Sequence, residues 1–367
     1  MAPRVGRRSF LLAAGAAALT GCSSSSDSTF SSPPSPRSSA SPTVSRTTVP
    51  TEADWQLLAR HVHGSLALPG TSTYDTVRLV QNPRYDGAKP LAVLSVANAG
   101  DVATGLSFAQ DHSVPVAIRS GGHSYPGWSA GDGALVVDVR SLDTVSLDGT
   151  SVTVGAGAAL LPVYDALAAR GRGIGAGSCP TVGIAGLAQG GGVGVLTREH
   201  GLTCDQVTSM EVVLADGRTV TADVEREPDL FWALRGGGGG HLGVVTSFTL
   251  TTFEASDITR DFLTWPLAAA REVVPAWLAS APGADRRLWS TLKLLGGEKH
   301  TSGPELLLSA TWTGSASAMD AARRCRLVGF RPGPSGAEAR SACWTVVVMW
   351  CSSSRATGGR ATPPLGA

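Results

Sequence analysis

The chain has 367 residues, a formal net charge of +1 and only 16% charged residues, so it is long enough for two domains around a sizeable core. Its body carries no Lys/Arg cluster or basic face, which excludes a nucleic-acid footprint. Its 45 glycines fall in clusters without a fixed period, which excludes collagen-like and solenoid repeats, and its six cysteines are too scattered to read as a disulfide framework.

Residues 1–22 read as an export signal. Arg4, Arg7 and Arg8 precede an apolar run, Phe10 to Leu19, that is too short to span a bilayer. Arg7-Arg8-Ser9-Phe10-Leu11 is similar to a twin-arginine signal, whose pathway carries folded proteins. Leu19-Thr20-Gly21-Cys22 resembles a bacterial lipobox, with Cys22 the lipidated residue; a cleaved signal with an incidental Cys22 is the alternative. The expected location is then the cell envelope, outside the cytoplasmic membrane. Residues 23–50 are Ser-, Thr- and Pro-rich and cannot bury enough apolar surface to offset their ordering entropy, so they read as a tether.

Residues 51–85 form a lead-in, in which Trp55, Leu58, Ala59, Val62 and Leu66 fit a short amphipathic helix. From 86 to 255 strands and helices alternate: a strand Leu91–Val96, a helix opened by Asp101, and a strand through Val114, Val116 and Ile118. Then come the turn Arg119-Ser-Gly-Gly-His-Ser-Tyr-Pro-Gly127 and a strand Ala134–Val139. Adjacent glycines let that turn expose consecutive N–H groups, as an anion cradle requires; taken alone, it reads first as an ordinary glycine-rich loop with a surface histidine. Asp148-Gly149 and Asp216-Gly217 each mark a hairpin. Between them lies a helix carrying Leu160, Val163, Tyr164 and Leu167, ended by Gly171. The stretch from Gly175 to Gly194 is too glycine-rich for a good helix or strand and suits a large flat ligand lying on the backbone.

A helix Asp229–Leu234 leads into glycines 236–240 and a strand Val244–Leu250. Gly238-x-Gly240-x-x-Gly243 has the letters of a dinucleotide fingerprint, but it follows a helix and opens a strand, which is the wrong context. No glycine cluster ends in the Gly-Lys-Ser/Thr of a P-loop, and no metal site is assigned.

Four motifs together are specific: Arg119-Ser-Gly-Gly-His123, Gly177-Ser-Cys179-Pro-x-Val-Gly183, Gly190-Gly-Gly-x-Gly194, and Asp229-Leu-Phe-Trp-Ala-Leu-Arg235 running on to Gly243-Val-Val-Thr246. From about Pro90 to Thr252 the chain resembles the berberine bridge enzyme-like branch of the vanillyl-alcohol oxidase flavoproteins. The resemblance implies an α+β fold: a PCMH-type FAD-binding domain of two α+β subdomains, followed by a truncated α+β substrate domain at 256–322.

It also implies FAD as cofactor, bonded covalently through His123 and also through Cys179. Arg119, Ser120, Gly121, Gly122 and Ser124 match the turn whose amides meet the FAD pyrophosphate. Gly183, Gly186, Gly190, Gly191, Gly192 and Gly194 match a second phosphate and ribityl region, and Val244 and Val245 a strand that meets the cofactor by main chain. Val182 matches a position at the flavin edge, where a small β-branched residue goes with reaction toward dioxygen. Leu187 replaces a histidine common in plant members, and His241-Leu242 replaces Asn-Phe; His241 reads as a loop residue and Cys204 as a core thiol.

Residues 256–322 keep ordinary periodicity, with a strand Phe262–Trp265, a helix Arg271–Ala279, and strands Leu288–Leu295 and Leu306–Thr311. From Arg323 onward there are seven Arg and one carboxylate, Glu338, with no His, Tyr, Lys or Asp, a composition that fits a shifted reading frame for 323–367; a divergent natural tail is the alternative. No residue stands out as the catalytic base. The reading is an FAD-linked oxidoreductase that takes hydride from a hydroxyl-bearing small molecule and passes electrons to dioxygen. The alternative is a flavin-binding remnant without catalysis.

Overall fold

The computed structural model describes residues 49–298 and 300–324. The expected export signal with Cys22, nearly all of the expected 23–50 tether, and the tail beyond Arg324 lie outside the described residues. The strands in chain order are β1 (Ser65–Ala67), β2 (Ala92–Ser95), β3 (Val116–Arg119), β4 (Leu135–Asp138), β5 (Val145–Asp148), β6 (Ser151–Gly155) and β7 (Arg172–Gly173). They continue as β8 (Val207–Val213), β9 (Thr219–Asp223), β10 (Val244–Thr251), β11 (Phe253–Glu254), β12 (Ile258–Pro266), β13 (Leu288–Leu295) and β14 (Glu305–Thr313).

The first sheet runs β1-β2-β4-β3, with β2 and β3 both parallel to β4. Every residue of β4 is buried, as expected of a parallel strand covered on both faces. The helix Ala99–Asp111 crosses this sheet, capped by Asn98, whose side chain accepts from the Asp101 N–H. Gly105 lets it approach closely, since a Cβ there would stand 2.6 Å from Leu94 Cδ2. Asp101 is fully buried, and its carboxylate accepts N–H bonds from His63, Gly64 and Ala97 at 2.8 Å each, which staples the lead-in to the sheet.

The lead-in is not purely helical. Its helix spans Glu52–His61 and stops at Val62, which is extended, and Leu66 lies in β1, antiparallel to β2. The main chain decides this: Gly64 passes so close to the Ser95 carbonyl that a Cβ would overlap it, and the chain then runs beside β2 as an edge strand.

The second sheet, β5-β6-β10-β8-β9, is antiparallel throughout. Its two hairpins turn at Gly149 and Gly217, with φ of 57° and 81°. Leu94 and Leu135 of the first sheet share one apolar cluster with Val154, Met210, Phe248 and Leu250 of the second, so the two subdomains have a common core. The helix Leu160–Ala168 packs Leu160, Val163 and Leu167 into that core, and Gly171 follows with φ 64°.

Beyond the β11–β7 ribbon, the sheet β12-β14-β13 has cores of its own: Trp265, Val273 and Leu306, and Ala310, Trp312 and Met319. The helix Ala270–Ser280 covers part of one face through Val273. Arg198 ties this unit to the glycine-rich region, its guanidinium donating to the Ala281 and Ala284 carbonyls at 2.8 Å. No helix among the described residues is long and apolar enough to cross a membrane.

Candidate functional site

At the end of β3 the chain enters the Ser120–Gly127 turn, where Gly122 and Gly127 take φ of 72° and 78°. Among the described hydrogen bonds, the N–H groups of Gly121, Gly122, His123 and Ser124 donate to no protein acceptor. Four consecutive free amides in a glycine turn suit an anionic ligand such as a diphosphate.

The side chains around them hold the turn in shape. Ser120 Oγ donates to the Ala156 carbonyl at 2.7 Å, and Ser124 Oγ accepts from the Trp128 N–H at 3.2 Å. Arg119 is 1% exposed and points its guanidinium into the scaffold, not outward. It donates to the carbonyls of Val77 (2.6 Å), Ser129 (2.8 Å), Arg78 (3.2 Å) and Ala130 (3.4 Å), with Asp138 3.7 Å away. Burial pulls its pKa down to about 10, which still leaves it charged at neutral pH. Its guanidinium is therefore not offered to a ligand, and its carbonyl accepts from the Val139 N–H at 2.8 Å.

The second turn, Cys179–Gly183, is tied to the helix Leu160–Ala168 by N–H bonds from Leu160 to the Val182 carbonyl and from Leu161 to the Pro180 carbonyl, both 3.0 Å. The two turns interlock. A Cβ on Gly121 would overlap the Gly183 nitrogen, and one on Gly183 would overlap Ser120 Oγ and the Gly121 nitrogen. On this shared edge His123 Nε2 lies 2.9 Å from Thr181 Oγ1. Partial burial holds the His123 imidazole below its ordinary pKa, opposed by a hydrogen bond to the Thr181 main chain. Cys179 and Val182 are half-buried on the same turn.

Past Gly183 the chain forms a short helix, Ile184–Gln189, a correction to the irregular stretch expected there. Ile, Ala, Leu and Gln supply enough helix-forming residues, with Gly186 the single interior glycine. The glycines here are of two kinds. Gly192 and Gly194 are demanded by the protein itself, because a Cβ would overlap Thr203 Oγ1 in one case and the Ala176 carbonyl in the other. Gly186 is exposed with nothing within 4 Å of its Cβ position, and Gly190 is exposed too, so these two offer open backbone to a flat ligand. Gly191 has φ 103° and is buried.

Gln189 is 5% exposed, and its side-chain Nε2 is buried without a partner, while its carbonyl accepts from the Gly238 N–H at 2.8 Å. Glycines 236–240 pass over it, and a Cβ on Gly240 would stand 3.5 Å from Ile118, just ahead of the first turn. His241 is an exposed loop residue. Val244 and Val245, each 3% exposed, put their side chains in the core. A register shift between Val245 and Ser247 follows, and there the Thr246 carbonyl accepts from the Ala156 N–H at 3.0 Å. Ala156 thus joins the first turn to the start of β10.

Cys204 is 5% exposed with its thiol pushed up by burial, as a core cysteine should be. Among the described residues no three His, Cys, Asp or Glu side chains gather as a metal site. A cavity of about 620 Å³ lies elsewhere, between Leu57, Phe108, His112 and Arg218. The motifs did not single out Thr181, Gln189 or Ala156; only Thr181 carried a signal, a hydroxyl two residues beyond the cysteine.

The open amides, the exposed glycines and the orphaned carboxamide fit a dinucleotide flavin, and together with the α+β frame they define an FAD-binding flavoprotein. Residues 90–223 match the family model of an FAD binding domain. The chain is 37% identical over 210 residues to the FAD-linked oxidoreductase YgaK of Bacillus subtilis, covering 56% of this chain and 47% of that protein. It is 31% identical over 207 residues to (R)-6-hydroxynicotine oxidase of Paenarthrobacter nicotinovorans, covering 56% of this chain and 45% of that one. The solved structure of BBE-like 1 from Physcomitrella patens superposes with a TM-score of 0.71 at 31% identity, over 76% of this chain and 60% of that chain. Residues 90–223 are thus an FAD binding domain, the chain's relatives are FAD-linked oxidoreductases, and its structural neighbours include berberine bridge enzyme-like proteins. It spans about half the length of the curated relatives it matches.

Proposed function

We propose that this protein is an FAD-dependent oxidase of a hydroxyl-bearing small molecule, a sugar or a specialised-metabolite alcohol, with the flavin bonded to both His123 and Cys179. One observation carries the reading: Gly121 and Gly183 interlock, so the free amides, His123 and the Cys179 turn share one edge. When bound, the flavin supplies the hydride acceptor. The protein's own part is to hold the diphosphate on the amides of residues 121–124, to keep the His123 imidazole neutral, and to leave Gly186 and Gly190 flat against the ligand. Val182 on the same turn supports dioxygen as electron acceptor. The lipobox-like Leu19-Thr20-Gly21-Cys22 supports an envelope lipoprotein anchored through Cys22, and Cys22→Ser should release it from the membrane fraction.

Acid precipitation tests the cofactor. A yellow pellet is expected from the wild type, fading in His123→Ala and Cys179→Ala and lost in the double variant; a colourless wild-type pellet would overturn covalent attachment. Peroxide release with a panel of sugars and alcohols tests the oxidase. Loaded flavin with no turnover of any of them would leave a binding protein instead.

A further inference from the structure

His123 is held by one residue outside its own turn, Thr181, whose hydroxyl lies 2.9 Å from Nε2. The Thr181 main-chain carbonyl also favours the protonated imidazole. That carbonyl reaches over the first turn, 2.7 Å from where a Cβ on Gly121 would stand, and the glycine interlock keeps it there. A hydroxyl can donate or accept, so the Thr181 oxygen can take the hydrogen of an Nε2 that carries one. In a neutral imidazole the other nitrogen then holds the lone pair. Among the described hydrogen bonds, His123 Nδ1 makes none.

We propose that Thr181 is the positioning residue for His123: it accepts the Nε2 hydrogen, fixes the ring plane, and leaves Nδ1 as the nucleophile that bonds the flavin. The inference rests on the covalent FAD reading above. Attachment forms one C–N bond to the flavin 8α carbon. One methyl hydrogen and the imidazole hydrogen leave as protons, and two electrons pass through the flavin to dioxygen, giving hydrogen peroxide. Thr181 also lies two residues from Cys179, so one short turn serves both attachment points.

The test uses a Cys179→Ala background, in which His123 alone retains flavin. Thr181→Val keeps the shape and β-branching but removes the hydroxyl, and Thr181→Ser restores it. After FAD is added to flavin-free protein, the flavin-bearing fraction of the His123 peptide is followed by mass spectrometry. Thr181→Val should attach flavin about tenfold more slowly, the worth of one strong hydrogen bond, and Thr181→Ser near the wild-type rate. Equal rates in all three would overturn the proposal.

A second arm needs no flavin: long-range ¹H–¹⁵N spectra of histidine-labelled protein, with His123→Asn for assignment, report the tautomer. Hydrogen on Nε2 is expected, with mixing of tautomers in Thr181→Val; hydrogen on Nδ1 in the wild type would sink the role of Thr181. Absence of flavin from the wild-type peptide would instead sink the covalent reading, and the tautomer arm would still decide Thr181.

Discussion

Gly121 and Gly183 meet main chain to main chain, so that a Cβ on either would overlap the other's amide nitrogen. Neither position can yield, because the overlapping atoms belong to backbone rather than to a flexible side chain. Gly121→Ala and Gly183→Ala should each cost about 1–3 kcal/mol, as overpacking does, measurable as a lower denaturant midpoint. Both should also lose flavin, since the clash forces apart the two turns that carry His123 and Cys179. Full flavin loading in either variant would show that the cofactor does not depend on this junction.

Arg119→Lys is a second prediction. An ammonium cannot replace a planar fork that serves four carbonyls from two separate segments, Val77–Arg78 and Ser129–Ala130. Asp138 keeps Arg140 at 2.6 Å, so the loss falls on the carbonyls and not on the carboxylate. The expected cost is about 1.5–3 kcal/mol, the range for hydrogen bonds that involve a charged group, read as a fall in Tm. A Tm within a degree of the wild type would show that the lead-in and the turn are held by other contacts.

The hairpins were legible because Asp-Gly at 148–149 and 216–217 is a local signal that needs no tertiary context. Leu66 was not: its spacing from Val62 suits a helix face, and only the close pass of Gly64 over Ser95 turns the segment into an edge strand. The glycine clusters were legible as a site but not in detail. Sequence assigns them all to a ligand, whereas Gly192 and Gly194 answer to Thr203 and Ala176, contacts made by residues distant in the chain. Arg119 is the same lesson, since its place in a cofactor motif conceals a guanidinium turned inward.

The pH response of His123 follows from its lowered pKa. The unfolded chain binds the proton more readily than the folded one between the folded-state value and about 6.5, so stability rises with pH across that window. The contribution is present above about 6.5 and is lost as pH falls through the folded-state value. The Tm-versus-pH curve of His123→Asn should therefore be flatter on the acid side than that of flavin-free wild type. Flavin attachment should slow as pH falls through the folded-state value, because a protonated imidazole has no lone pair to offer. Identical curves for the two proteins would place His123 in solvent, not in the partly buried site.

Gly186 and Gly194 separate glycines kept for a ligand from those kept for the fold. Gly186 is interior to the helix Ile184–Gln189 and its Cβ position is open, so nothing in the protein requires glycine there. In flavin-free protein Gly186→Ala should be neutral or stabilise by up to about 1 kcal/mol, the helix propensity difference. If a flavin lies against this face, the same methyl group should lower its occupancy, seen as less flavin absorbance per protein. Gly194→Ala should do the reverse: its methyl group strikes the Ala176 carbonyl, so stability falls whether or not flavin is present. A Gly186→Ala protein that is both stable and fully loaded would move the cofactor off the Ile184–Gln189 helix.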